Sequence, residues 1–272
     1  GLACCGFTFL LGGGPVEMIL AFFGAGVGMY VRKKLLERHI TLLANVAAGV
    51  AAACCTYLLL FKLFEVIFNV SSVHQSGYIC SMLFVIPGFP LITGGIDLAK
   101  LDLRSGLERI TYALLIILMA TITGWVVALL LHFSPADFPE LEMAPLLKMA
   151  IRIITSFCGV YGFSLMFNSK RKMAACAGLI GMIANTTRLE LIDFTPIPAG
   201  VAAFIGAMIA GLLASAMKSK AGYPRITLTV PSIVIMVPGM FLYKGIYYLG
   251  SYDISTGGMW LTKAFLIIIS LP

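Results

Sequence analysis

The chain is written as a succession of apolar runs, each about long enough to cross a bilayer. The run from Leu42 to Phe61 holds no charged residue, and similar runs recur along the 272 residues. A hydrocarbon core of roughly 30 Å takes about 20 apolar residues per helical span. Lipid offers the backbone no hydrogen-bond partner, so only helices and closed barrels survive there. The runs are continuous rather than alternating, which selects helices. Composition agrees, at 60% hydrophobic, 11% charged and mean hydropathy +1.00, where soluble domains carry about 25% charged residues. The pattern predicts spans near 15–31, 42–64, 76–98, 108–132, 144–167, 171–187, 196–217, 226–249 and 256–272, with a shorter one at 1–12. That makes about ten, with no soluble domain beside them. The run Gly1–Leu11 is too short to span and lacks the basic flank of a signal peptide. It reads as a truncated first span with native sequence upstream.

Basic residues orient the spans. Alternation puts Arg32, Lys33, Lys34, Arg38, Lys100, Arg104, Arg109, Lys170, Arg171, Lys172, Lys218, Lys220 and Arg225 on one side, 13 of the 19 basic residues. That side is cytoplasmic by the positive-inside rule. The segment His132–Met143 carries Asp137, Glu140 and Glu142 without a Lys or Arg and suits the outside. The net charge of +7 is thus explained by loops at the membrane, and nucleic-acid binding is excluded. The seven cysteines lie mostly in apolar runs and form no C-x-x-C pair, so they read as buried thiols and not as a metal site or disulfide framework.

One repeat stands out. PGFPLITGGIDLAKLDLRSG from Pro87 to Gly106 aligns with PGMFLYKGIYYLGSYDISTG from Pro238 to Gly257 at an offset of 151 residues. Pro87, Gly88, Gly94, Asp102 and Gly106 meet Pro238, Gly239, Gly245, Asp253 and Gly257. With five spans in each half, an odd number, the second half enters the membrane inverted, a common arrangement in secondary transporters. Pro-Gly within an apolar run removes a donor and loosens the backbone. Each copy is read either as a kink that aids packing or as a discontinuous helix lining a substrate path; the symmetric recurrence favours the path. The expected fold is an all-α integral membrane protein of about ten transmembrane helices, in two inverted five-helix repeats with Pro-Gly-broken helices. The repeats would occupy 1–134 and 144–272, joined by an extracytoplasmic linker at 135–143.

These residues carry a resemblance. PGFPLITGGIDLAKLDLRSGLERITYALLI, and Gly12–Gly14 followed by Glu17, resemble the first membrane domain of the threonine/serine exporter family. GVYGFSLMFNSKRKMAACAGLIGMI and VPSIVIMVPGMFLYKGIYYL resemble its second. The resemblance implies a 5+5 arrangement and export of threonine and serine driven by an ion gradient, that of protons. Some family members carry the halves on separate chains and are linked to small dicarboxylates, which is the alternative substrate class. Family members also carry a polar cytoplasmic segment before the first span, absent from this sequence. The expected location is the cytoplasmic (inner) membrane.

A zwitterionic substrate needs donors for its carboxylate and acceptors for its ammonium. Broken-helix ends supply both, so Pro87, Gly88, Pro238 and Gly239 are candidate binding residues. Intramembrane polar groups follow because lipid makes them costly. Asn45, Asn185 and Thr186 contact either ligand or a neighbouring helix. Arg152 holds a carboxylate, pairs with Glu17, or snorkels beside Lys148. Arg188, Glu190 and Asp193 read mainly as surface residues. Candidates for proton coupling are Glu17, Asp97, Asp102, Glu108 and Asp253; Asp102 and Asp253 also suit helix caps. Glu108 and Arg109 lie at a cytoplasmic helix start and also read as pairing with their neighbours. None of His39, His74 and His132 stands out as a relay. The sequence has no H-E-x-x-H, P-loop or G-x-S-x-G motif. Enzymatic activity and a cofactor are therefore not expected, and Gly24, Gly26 and Gly28 read as a packing face. A passive channel and a membrane scaffold are the other classes. The expected partners are a small amino acid, protons and the bilayer, with homo-oligomerisation left open.

Overall fold

A computed structural model describes residues 1–68, 74, 77–132, 138 and 143–271. The expected linker at 135–143 lies outside the described residues except for 138 and 143. Helices are the regular structure of the described residues. They are α1 (Leu2–Leu10), α2 (Pro15–Glu37), α3 (Leu42–Phe68), α4 (Tyr78–Met82), α5 (Gly88–Ala99), α6 (Leu103–Leu130), α7 (Pro145–Met166), α8 (Arg171–Phe194), α9 (Ala199–Ala221), α10 (Arg225–Val234), α11 (Gly239–Gly250) and α12 (Ile254–Ser270). Five helices are long and apolar enough to cross a membrane: α2, α3, α6, α7 and α9. Two bent pairs raise the number to seven if each is one span. The ten runs of the sequence each fall on a helix or bent pair, but α1 and α12 are short and α8 is interrupted by polar residues from Asn185 to Asp193.

The bends lie at the Pro-Gly steps. Tyr78–Val85 meets Gly88–Ala99 at 53°, and Arg225–Val234 meets Gly239–Gly250 at 49°. Pro87 has no N–H for the Leu83 carbonyl, and Pro238 has none for Val234. The chain tightens instead: Ile86 N–H donates to Leu83 at 3.1 Å, and Val237 N–H donates to Val234 at 3.1 Å. The same local defect is thus resolved by the same bond at the 151-residue offset.

The turns that follow also match. Leu101 (φ 64°) and Tyr252 (φ 63°) both adopt the left-handed conformation. Asp102 then accepts the Ser105 N–H at 3.4 Å, and Asp253 accepts the Thr256 N–H at 3.1 Å. Both aspartates sit at helix N-termini, where their oxygens satisfy otherwise orphaned amides. A second correspondence has no obvious sequence signature. Gly13 N–H bonds to Thr8 O at 2.9 Å after α1, and Ser169 N–H bonds to Ser164 O at 3.1 Å after α7. The intervening Gly12 and Asn168 both have positive φ.

Contacts group the helices into two compact units. The first contains Gly1–Pro87, Leu114–Glu142 and Gly239–Leu261; the second contains Gly88–Ala113, Met143–Pro238 and Thr262–Pro272. The chain changes unit at both Pro-Gly steps. The sequence division near residue 140 follows chain order, whereas these units follow contact. In the first unit α2 packs on α3 through glycine. A Cβ on Gly24 would lie 2.9 Å from Ala53 O, and one on Gly28 would lie 2.7 Å from Gly49 O. Gly26 faces open space and does not share that contact. Its angular position explains this, since residues four apart share a helix face and residues two apart do not. In the second unit a Cβ on Gly181 of α8 would lie 2.5 Å from the Val160 side chain of α7.

Candidate functional site

The first unit buries an acid. Glu17 stands in the first turn of α2 with its side chain fully enclosed. One carboxylate oxygen accepts the Gly14 N–H at 2.9 Å. The other lies 2.5 Å from His74 Nδ1. The Tyr57 hydroxyl of α3 donates to the His74 carbonyl at 2.7 Å, which holds that residue in place. A Cβ on Gly77 would lie 2.1 Å from the Tyr57 hydroxyl and 2.9 Å from Glu17 Cγ, so glycine makes room for the cluster. An acid and an imidazole in contact can exchange or share a proton. His74 was passed over in the sequence because it lies outside any apolar run.

Two tyrosines join α4 to α11 within this unit. Tyr78 of α4 and Tyr243 of α11 are both fully buried, with hydroxyls 2.6 Å apart. Lys244, also buried, lies with its ammonium 4.7 Å from the Trp260 ring centre, a cation–π contact. Neither tyrosine nor Lys244 stood out in the sequence.

The second unit buries cations. Arg152 of α7 is 7% exposed and donates to Glu190 and Asp193 of α8, each at 2.9 Å. Lys148 joins Asp193 at 2.7 Å. Arg152 therefore pairs with α8 carboxylates, as Glu17 does with His74, and the two do not form the pair considered from the sequence. Asp193 is exposed, as expected of a surface residue, whereas Glu190 is half-buried; both serve as ion-pair partners of Arg152. Arg188, also read as a surface residue, points a fully buried Nε into the protein, and its Nη1 donates to Met236 O at 3.3 Å. Met236 lies between α10 and α11, where the Pro-Gly step interrupts the helical ladder. Asn185, one turn before Arg188, donates to Ser156 of α7 at 2.9 Å. Asn185 Oδ1, Thr186 Oγ1 and Arg188 Nε are buried without a hydrogen-bond partner among the described residues.

The remaining candidates separate. Asn45 is buried and donates to Arg32 O at 3.0 Å, near the far end of α2 from Glu17. Asp97 meets Arg109 at 3.1 Å, and Arg104 meets Glu108 at 3.2 Å. Asp102 and Asp253 are the exposed helix caps described above. Pro87 and Gly239 belong to the first unit, Gly88 and Pro238 to the second. A cleft of about 510 Å³ in the second unit, between α5, α9, α10 and the end of α12, is mainly apolar, with Lys100 and Arg225 on its wall. The seven cysteines are free thiols, and no cluster of metal-binding residues occurs among the described residues.

Two family models match successive stretches of the chain. "Putative threonine/serine exporter" matches residues 1–132, and "Threonine/Serine exporter, ThrE" matches residues 152–272. The probable succinate transporter subunit YjjP of Escherichia coli strain K12 is 34% identical over 129 residues, 47% of this chain and 48% of that protein. Its Klebsiella aerogenes namesake is 33% identical over 131 residues, again 47% and 48%. Pheromone-regulated membrane protein 10 of Debaryomyces hansenii is 22% identical over 255 residues, 86% of this chain and 23% of that protein. The chain thus spans about half the length of the first two relatives and about a quarter of the third. No solved structure matches it.

Proposed function

The chain belongs to the threonine/serine exporter family and is a multi-pass membrane protein; from that premise we propose that it is a secondary transporter exporting threonine and serine across the cytoplasmic membrane, coupled to the proton gradient. The observation that carries this reading is the matched pair of bent helices, at 53° and 49°, each broken at a Pro-Gly step. Together with the matching turns it supports ten spans in two inverted five-helix repeats, at 1–134 and 144–272 about an outer linker. Such repeats serve alternating access, with backbone groups at broken helices facing the substrate. The pair of buried Glu17 and half-buried His74 fits proton coupling, because its charge changes when a proton is gained or lost. Asp97, Asp102 and Asp253 fit the coupling role less well, since one is held by arginine and two cap helices. Pro87, Gly88, Pro238, Gly239, Asn185 and Thr186 are the proposed substrate contacts. Asn45 and Arg152 support the helix frame around them.

A second reading is export of a small dicarboxylate. The relatives named probable succinate transporter subunit favour it. Reconstituted full-length protein in sealed vesicles tests both readings. Uphill movement of serine or threonine under an imposed pH gradient supports the first, and uphill succinate movement supports the second. Flux that only follows the solute gradient excludes coupling, and the absence of flux for all three rejects both.

A further inference from the structure

We infer that Arg188 and Asn185 form a binding site for a small zwitterionic amino acid, with the guanidinium taking the carboxylate and the amide oxygen taking the ammonium or hydroxyl. The inference rests on the transporter reading and deepens it by naming the groups that recognise the substrate. A guanidinium inside a membrane protein is costly unless its donors are used. Arg152 meets that requirement with two carboxylates. Arg188 has a single recorded bond, to the Met236 carbonyl, and its enclosed Nε has no partner among the described residues. An arginine fork with a spare donor matches a carboxylate in shape and charge.

An acceptor shares its helix face, three residues back. Asn185 Oδ1 is enclosed and unpartnered among the described residues. Helical side chains lean toward the helix N-terminus. Arg188 therefore leans back over the turn that carries Asn185, which stands three residues earlier on the same face. Asn185 is held in orientation by Ser156, which occupies its amide nitrogen and leaves its oxygen to accept. An ammonium or hydroxyl satisfies such an acceptor, whereas a second carboxylate meets it with like polarity. The site thus selects an amino acid over a dicarboxylate. The Met236 carbonyl ties this site to the break before α11, so occupancy of Arg188 bears on the chain segment that bends.

The test is calorimetric titration of the purified full-length chain with serine, threonine and succinate, with folding followed by gel filtration and helical circular dichroism. Wild type is expected to bind both amino acids at least about tenfold more tightly than succinate, the discrimination typical of a site with buried polar groups to satisfy. Arg188→Gln abolishes binding of all three, Arg188→Lys retains part of it, and Asn185→Leu weakens serine but not succinate. Wild-type preference for succinate overturns the inference without any variant, as does wild type binding none of the three. Unchanged affinity in a folded Arg188→Gln protein overturns it as well. Serine binding that depends on Arg188 without vesicle flux upholds the site while rejecting transport; uphill serine flux that survives Arg188→Gln upholds transport while rejecting the site.

Discussion

Gly88 backs onto Val234 so closely that a Cβ in its place would lie 3.1 Å from the valine side chain, and Gly239 stands at the same 3.1 Å from Leu83. Each pair lies within one compact unit. Under the 151-residue offset Gly88 becomes Gly239 and Leu83 becomes Val234, so the two contacts are one contact made twice with roles exchanged. The neighbours are side chains and can give by tenths of an ångström. Alanine is expected to be tolerated at either position. Leucine overpacks the break, at about 1–3 kcal/mol. Gly88→Leu and Gly239→Leu should therefore reduce vesicle flux to similar extents while the protein still inserts, as flux and gel filtration together will determine. Normal flux in both variants removes the breaks from the mechanism.

Glu17→Gln keeps the Gly14 cap acceptor but loses the ionisable group. Flux driven by a pH gradient should collapse to passive exchange, and His74→Gln should change the pH profile of the remaining flux. An unaltered profile in Glu17→Gln excludes this pair from coupling.

Asp253 sits in the turn before α12, and hydrogen bonds from Thr256 hold its carboxyl below the usual range. A depressed folded pKa stabilises the protein above the unfolded carboxyl value of about 3.9, and that contribution is lost as pH falls through the folded value. Asp253→Ala should lower the melting temperature at neutral pH, with the difference from wild type shrinking in strong acid. Thermal melts across pH measure this, and a difference independent of pH would assign the effect to something other than the cap charge.

Gly28→Leu drives a side chain toward the Gly49 carbonyl and should sharply reduce folded protein. Gly26→Leu projects into open space and should change stability by no more than about 0.5 kcal/mol. Paired melting curves of the two variants separate a specific packing face from a general effect of apolar bulk.

Glu190→Gln leaves Arg152 with Asp193 alone, an acid already shared with Lys148. Because Glu190 is only partly buried, the expected loss is about 1–3 kcal/mol, below that for a fully buried pair. Lys148→Ala frees Asp193 for Arg152, so it should cost less. Equal losses in chemical denaturation would indicate that the cluster does not act as a network.

The amino-acid order alone determined the features that depend on neighbouring residues. Apolar run length set where helices form. A missing N–H at Pro87 and Pro238 set where two of them break, and the Asp102 and Asp253 caps were readable as such because a cap acts within three residues. Tertiary structure alone decided what depends on distant helices. His74 meets Glu17 across 57 residues, and Glu190 meets Arg152 across 38, pairings that no local pattern encodes. It decided too that Gly24 and Gly28 touch α3 while Gly26 does not. The matching turns after α1 and α7 stayed hidden because Gly12 and Asn168 reach a left-handed backbone by different chemistry, glycine through its missing Cβ and asparagine through a short polar side chain. Arg188 reads as a surface residue near a helix end, and only the packing of α8 against the break brings its Nη1 to the Met236 carbonyl.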